Sequence, residues 1–337
     1  MIVAGFLVSG RRVQSHRSNV VIVRIYNQLQ FIRGVLMKAQ KILSVLPLAV
    51  IGALYGASAW ATPFLGSDLA SFTVLGSSTV TNVPKSAIDG SVGVWSSGGA
   101  NAITGFNSSP GVAVSDPQVT GGTVQAGGSV AQLAQSQLTT ALTNLGSLGP
   151  GTTLSADLTG LTLGPGVYTV PAGTTNLSGA LTLNGGGNAN AAWVFEMPST
   201  LITSSNSVVN VINTGSGAGV YWDVGSSATI GTNTAFLGNI LALTSITMNT
   251  TATDLCGRAL ASTGAVTLQK NSLSGACTGV MAGSSGLSGG LYYASGSSAA
   301  TFLPYASVNG TVPEPATLPL LGLGFVGLGL TSLRWRG

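Results

Sequence analysis

The chain has 337 residues, of which only 6% are charged and 49 are glycine, a composition too apolar for a disordered chain and without the period-three glycine of collagen. One histidine (His16) and two cysteines (Cys256 and Cys277) leave too few groups for a histidine triad, a histidine-bound metal or a thiol cluster, so neither a metal nor another cofactor is expected. The formal charge of +4 comes from the ends: residues 62–312 carry three bases (Lys85, Arg258, Lys270) against seven acids (Asp68, Asp89, Asp116, Asp157, Glu196, Asp223, Asp254), which argues against nucleic acid as a partner.

Met37 opens a short basic stretch (Lys38, Lys41), followed by an apolar run over residues 42–57 and the small-x-small triplet Ala59-Trp60-Ala61. Residues 37–61 therefore read as a secretory signal peptide, removed by signal peptidase to leave a mature chain beginning near Thr62. The same run would also serve as an uncleaved anchor. Residues 1–36, with Arg11, Arg12, Arg17, Arg24 and Arg33, make an odd prefix to such a signal and read as an artefact of start-site assignment.

Between residues 129 and 145 there is no glycine or proline, and Ala131, Ala134, Leu138, Ala141, Leu142 and Leu145 recur at helical spacing. The pattern predicts one amphipathic helix, capped by Ser129 and ended by Gly146, packed against a β structure. That β structure announces itself as apolar-Thr-apolar triplets: Leu161-Thr162-Leu163, Leu181-Thr182-Leu183, Ala228-Thr229-Ile230, Ile246-Thr247-Met248 and Val266-Thr267-Leu268. Their threonines fall 20, 47, 18 and 20 residues apart. The long gap has room for two further turns, and Leu201-Ile202-Thr203 offers one slipped version. On a strand the apolar neighbours point inward and the threonine outward, and clusters such as Gly185-Gly186-Gly187-Asn188 supply corners. A unit of this length suits one coil of a β-solenoid better than a propeller blade; a β-sandwich with coincidental spacing is the competing architecture.

Cys256 and Cys277 would both lie in an exported domain, where a disulfide closing a loop of about 20 residues contributes about 3 kcal/mol. Asp254 and Arg258, four apart, suggest an ion pair beside it. Glu196 and Asp223 each follow an aromatic residue in matching motifs and could stack on neighbouring coils. Paired carboxylates are what glycoside hydrolysis requires, but no further acid, base or histidine accompanies them, so they read as surface or corner carboxylates and no catalytic residue is assigned. The solenoid domain is drawn at residues 62–278, followed by a Gly/Ser-rich linker or cap at 279–312.

The chain closes with Val312-Pro313-Glu314-Pro315, an apolar run over residues 318–333 and Arg334-Trp335-Arg336-Gly337. Residues 313–337 resemble the PEP-CTERM sorting signal, a Pro-Glu-Pro motif (Pro313, Glu314, Pro315), a short hydrophobic span and a basic end in that order. The resemblance implies recognition by an exosortase, a transient membrane anchor (a transmembrane helix of sixteen residues barely crosses a bilayer) and delivery to the cell envelope or extracellular matrix. A plain C-terminal anchor is the alternative.

Within the solenoid, the order FTVLGSSTVTN, AIDGSVGV and AITGF from Phe72 to Phe106, then the helix, LTGLTLGPGVYTV, AAWVFEMPSTL, VYWDVGSSATIGTNTAFLGNILALTSITMNTTAT and GRALASTGAVTL resembles the ice-binding-protein-like (DUF3494) family over about residues 64–275. The resemblance implies a mostly β fold, an irregular three-faced β-helix with one long α-helix packed alongside. It also implies a secreted antifreeze protein that adsorbs to ice or ordered water through a flat Thr-rich face and inhibits ice growth and recrystallisation. The family's Thr-(Ala/Gly)-x-(Thr/Asn) motif keeps its outer positions at Thr203 and Asn206, Thr229 and Thr232, and Thr247 and Thr250; at Thr267 the motif ends in Lys270 instead. Its second position is Ser, Ile, Met or Leu, so the same stripe is open to a second reading. In that reading it is a solvated sheet of a structural or adhesive matrix protein that binds exopolysaccharide or another surface.

Overall fold

Three columns of parallel strands form the faces of a prism in the computed structural model, which describes residues 62–96, 102–294 and 297–308. The expected signal peptide (37–61), the residues before it and the expected sorting signal with Pro313, Glu314 and Pro315 lie outside the described residues. Each coil crosses the faces in a fixed order. One coil runs through Ala192–Met197 on the first face, Leu201–Thr203 on the second and Val208–Thr214 on the third; the next begins at Gly219–Val224, back on the first. We call these the helix face, the ladder face and the third face.

The coils are not stacked in chain order. On the helix face the spatial sequence is 152–153, 166–169, 192–197, 219–224, 239–242, 257–261, and only then 72–76, 91–94 and 124–126. The last full coil therefore lies against the first: Val74 pairs with Ala259, Val80 with Val266 and Ala87 with Ser272, one pairing on each face. The helix α1 (Ser67–Ala70) precedes this first coil, and the long helix α2 (Ser129–Leu145) carries the chain back to the opposite end. Seventeen residues of helix span about 25 Å, roughly five inter-strand spacings.

Helix α2 occupies the residues its periodicity predicts. Ala131, Ala134, Leu138, Ala141 and Leu145 are fully buried and pack with Phe72, Leu75, Val194, Tyr221, Leu241 and Leu260 of the helix face, while Leu142 is half-buried. Its start differs from expectation: Gly128 is the N-cap, no side chain caps the helix, and Ser129 is the first helical residue. Gln135 is buried beside this stripe and satisfies its amide by donating to the Ala261 carbonyl at 3.1 Å.

The interior is held by stacking between coils. Tyr168, Phe195 and Trp222 are in register, with ring centroids 5.6 and 4.2 Å apart, and Phe236 continues the column 4.9 Å from Trp222. The buried indole N–H groups of Trp193 and Trp222 donate to the Leu163 and Leu237 carbonyls, both at 3.1 Å, so these aromatics enter the core without an unpaired donor.

The triplets read as one repeat belong to two faces. Thr162 pairs with Thr182 on the third face, whereas Thr229, Thr247 and Thr267 pair on the ladder face. The 47-residue gap contains one intervening coil rather than two, because the strands Ala180–Asn188 and Val208–Thr214 are long and lengthen their coils.

The Cys256–Cys277 disulfide is formed. The expected Asp254–Arg258 ion pair is not. Arg258, 1% exposed, donates instead to the Ala70, Ser285 and Gly286 carbonyls and to Asn239 Oδ1. Asp254 is turned into the core, in register with Phe236 and Leu273. Burial raises its carboxyl well above the usual carboxylate range, offset in part by the backbone amides of Cys256 and Gly238. Residues 283–294 and 297–308 pack on the solenoid, with the strands Leu291–Tyr293 and Ala300–Phe302 forming a small antiparallel sheet with Thr62–Pro63.

Candidate functional site

The ladder face is a seven-stranded parallel sheet of three- and four-residue strands. Each of the three central strands buries its first and third residues and leaves the middle one half-buried and outward. Strand by strand, the paired outward residues are Asn176, Ile202, Thr229, Thr247, Thr267, Thr81 and Thr104. Five threonines thus follow one another in register, one per coil, at the inter-strand spacing of about 4.8 Å.

Two of the five, Thr81 and Thr104, come from the N-terminal coils and were not among the sequence candidates. Their strands read Thr79-Val80-Thr81-Asn82 and Ala102-Ile103-Thr104, without the apolar residue after the threonine that marks the other triplets. The alternation around Val80 was the available signal.

A second hydroxyl column flanks the ladder on its upstream side. Thr200 donates to Thr174 Oγ1 at 3.1 Å, Ser227 Oγ accepts from the Ser245 amide at 3.3 Å, and Ser245 Oγ accepts from the Ala265 amide at 3.1 Å. Thr232 and Thr250 flank it downstream, where Thr250 Oγ1 donates to Gln269 Oε1 at 3.3 Å. They sit at the corner into the third face, next to a stack of left-handed residues: Asn206 (φ 60°), Asn233 (φ 56°), Thr251 (φ 60°) and Lys270 (φ 56°). Backbone bonds from the Asn206, Asn233 and Thr251 amides to the Thr232, Thr250 and Gln269 carbonyls link these corners coil to coil.

Thr229, Thr247 and Thr267 are in the ladder, and Thr232 and Thr250 border it. Asn206 and Lys270 are exposed corner residues whose shared conformation turns the chain. Thr203 is a correction. It is 3% exposed and points inward, where its hydroxyl meets Thr234 Oγ1 at 3.1 Å and accepts from the Gly231 amide at 2.7 Å. The slipped triplet explains this: Ile202, 41% exposed, takes the outward place beside Thr229.

Glu196 and Asp223 do pair on adjacent strands, on the helix face and away from the ladder. Thr169 Oγ1 donates to Glu196 at 3.0 Å. Burial, and then the neighbouring Glu196 charge, push the Asp223 carboxyl up to about 7, and burial also raises Glu196. Among the described residues no three His, Cys, Asp or Glu side chains gather in a way that could hold a metal, and no helix is long and apolar enough to cross a membrane.

Comparison with known proteins places this geometry in context. A family model described as Ice-binding-like matches residues 74–274, and one described as a PEP-CTERM protein-sorting motif matches residues 311–336. The chain is similar to an ice-binding protein of Nostoc sp. (strain HG1), 47% identical over 207 residues that make up 61% of this chain and 72% of the relative. It is also similar to an ice-binding protein of Flavobacterium frigoris (strain PS1), 32% identical over 222 residues, 60% of this chain and 73% of the relative. Among solved structures, an ice-binding protein from an Antarctic biological consortium superimposes with a TM-score of 0.55 at 32% identity, covering 63% of this chain and 91% of that one. One from an Arctic yeast does so with a TM-score of 0.56 at 26% identity, covering 62% and 92%.

Proposed function

Since the chain belongs to the ice-binding-like family, we propose that it is an exported protein that adsorbs to ice through its ladder face and so inhibits ice growth and recrystallisation. The observation that carries this reading is the unbroken register of Thr229, Thr247, Thr267, Thr81 and Thr104. Each threonine presents a methyl, which confines water, and a hydroxyl, which holds it. The side chain is stiff at χ1, and the backbone is held by a ladder on both sides at every one of the five but the edge residue Thr104, so little entropy is lost when water orders against it. No charged side chain stands among the five threonines; the first acid in the column is Asp157, bridged to Asn176 two coils beyond Ile202. The function asks for no bond to be made or broken, and no residue is assigned to catalysis. The sorting motif supports export, with signal peptidase and an exosortase as processing partners.

The test compares residues 62–312 with their Thr229→Tyr/Thr247→Tyr variant in thermal hysteresis and ice-recrystallisation assays. The wild type is expected to be active. The variant should lose most of that activity while its melting temperature stays within a few degrees, because both positions are outward. An inactive but folded wild type would sink the proposal and leave the matrix-protein reading in its place.

A further inference from the structure

Beyond the span matched to the family, residues 287–290 and 303–308 follow one corner of the prism. The Val220 amide donates to the Leu287 carbonyl at 2.9 Å and the Gly289 amide to the Ala218 carbonyl at 3.1 Å, and Gly219 and Ser288 form an antiparallel bridge. Further along, the Ala306 amide donates to Asn188 Oδ1 at 3.0 Å, the Val308 amide to the Gly187 carbonyl at 2.9 Å, and Asn190 Nδ2 to the Pro304 carbonyl at 3.0 Å. Residues 187–190 and 217–218 are where the chain turns from the third face to the helix face. Of the three corners, that is the one opposite the ladder.

This strap ends in exposed apolar side chains: Phe302 at 37%, Tyr305 at 65% and Val308 at 41%. The matched sorting motif starts at residue 311, and the apolar run starts at residue 318. Residues 309–317 between strap and run, nine in number, can reach at most about 30 Å. The leash is short, and its fixed end is on the far side from the ladder.

We propose that the strap is a mount. While the tail is held at a bilayer, Phe302, Tyr305 and Val308 meet the lipid headgroup region, where aromatic side chains are favoured, and the threonine ladder faces away from the membrane. The purpose of this orientation rests on the ice-binding reading; the orientation itself does not.

The full chain, tail intact, is placed in phosphatidylcholine vesicles containing headgroup spin-labelled lipid. A fluorophore is attached at Tyr305→Cys in one preparation and at Thr267→Cys in another. Quenching is expected to be several-fold stronger at position 305 than at 267; equal or reversed quenching would overturn the mount. Releasing the strap end with Asn188→Ala should raise the quenching at position 267, because the solenoid is no longer held with the ladder away from the bilayer, and no change there would count against the strap as the orienting element. Ice adsorption separates the two readings. A chain that binds ice in solution but not on vesicles overturns the mount. One that binds ice in neither state, yet keeps the quenching difference, overturns the ice reading and leaves the mount standing.

Discussion

Ile202 and Thr203 are sequence neighbours with opposite fates, one outward in the ladder column and one hydrogen-bonded inside the corner. Ile202→Thr would lengthen the run of consecutive threonines by one, and is expected to raise thermal hysteresis over the wild type in the same assay. Thr203→Val should do the reverse of a surface change: losing a buried hydroxyl that serves Thr234 and Gly231 costs about 1–3 kcal/mol in chemical denaturation, with ice activity per folded molecule unchanged. Which of the two faces out was not legible in the sequence, because a one-residue slip exchanges every side chain between core and surface and Leu-Ile-Thr fits either register. Asp223 gives a second residue-scale test. Its carboxyl is held at about 7 in the fold by burial and Glu196, against about 3.9 in an unfolded chain. The folded state therefore binds more protons between those limits, and stability falls as pH rises from about 4 to about 7, then levels off. Asp254 acts in the same direction. The melting temperature is expected to be higher at pH 5 than at pH 8, and Asp223→Asn should recover on the order of 2 kcal/mol at pH 8 and flatten the difference.

At the level of elements, helix α2 was readable to its last residue because seventeen positions free of glycine and proline carry a single apolar stripe. The ladder was half readable. A threonine between two apolar residues looks the same on either exposed face, so the third-face pair Thr162 and Thr182 could not be told from Thr229, Thr247 and Thr267 by local pattern. The stacked left-handed corner left a different trace. Asparagine tolerates that conformation and stands at Asn206 and Asn233, but the next coils place Thr251 and Lys270 there, and a β-branched residue is strained with positive φ. Thr251→Asn is expected to stabilise the protein by about 1 kcal/mol, seen as a rise of a few degrees in calorimetry, with the ladder and its activity untouched.

Across the whole molecule, the disulfide and Arg258 tie the strap region to the solenoid. Cys256 lies in a coil and Cys277 begins the approach to the strap, while the Arg258 guanidinium holds Ala70 and Gly286 together. Replacing both cysteines with serine is expected to cost about 3 kcal/mol, measured as a lower denaturation midpoint, and to leave ice activity at low temperature intact because the ladder lies on another face. The composition already spoke for an apolar coil interior, but it carried no sign that the coil of residues 257–274 closes on the coil of residues 72–89, since strand pairing between segments so far apart leaves no local pattern. That closure sets the order of assembly. In an ordinary repeat array each unit needs only its neighbours, and folding can begin anywhere and spread. Here the first coil has no sheet neighbour on one side until the last full coil has been synthesised, and Val74 must wait for Ala259. Contacts of such long range make folding slow, and a half-emerged chain offers a bare strand edge to any other copy nearby. The molecule closes like a clasp, late and all at once, after nearly the whole chain has been delivered.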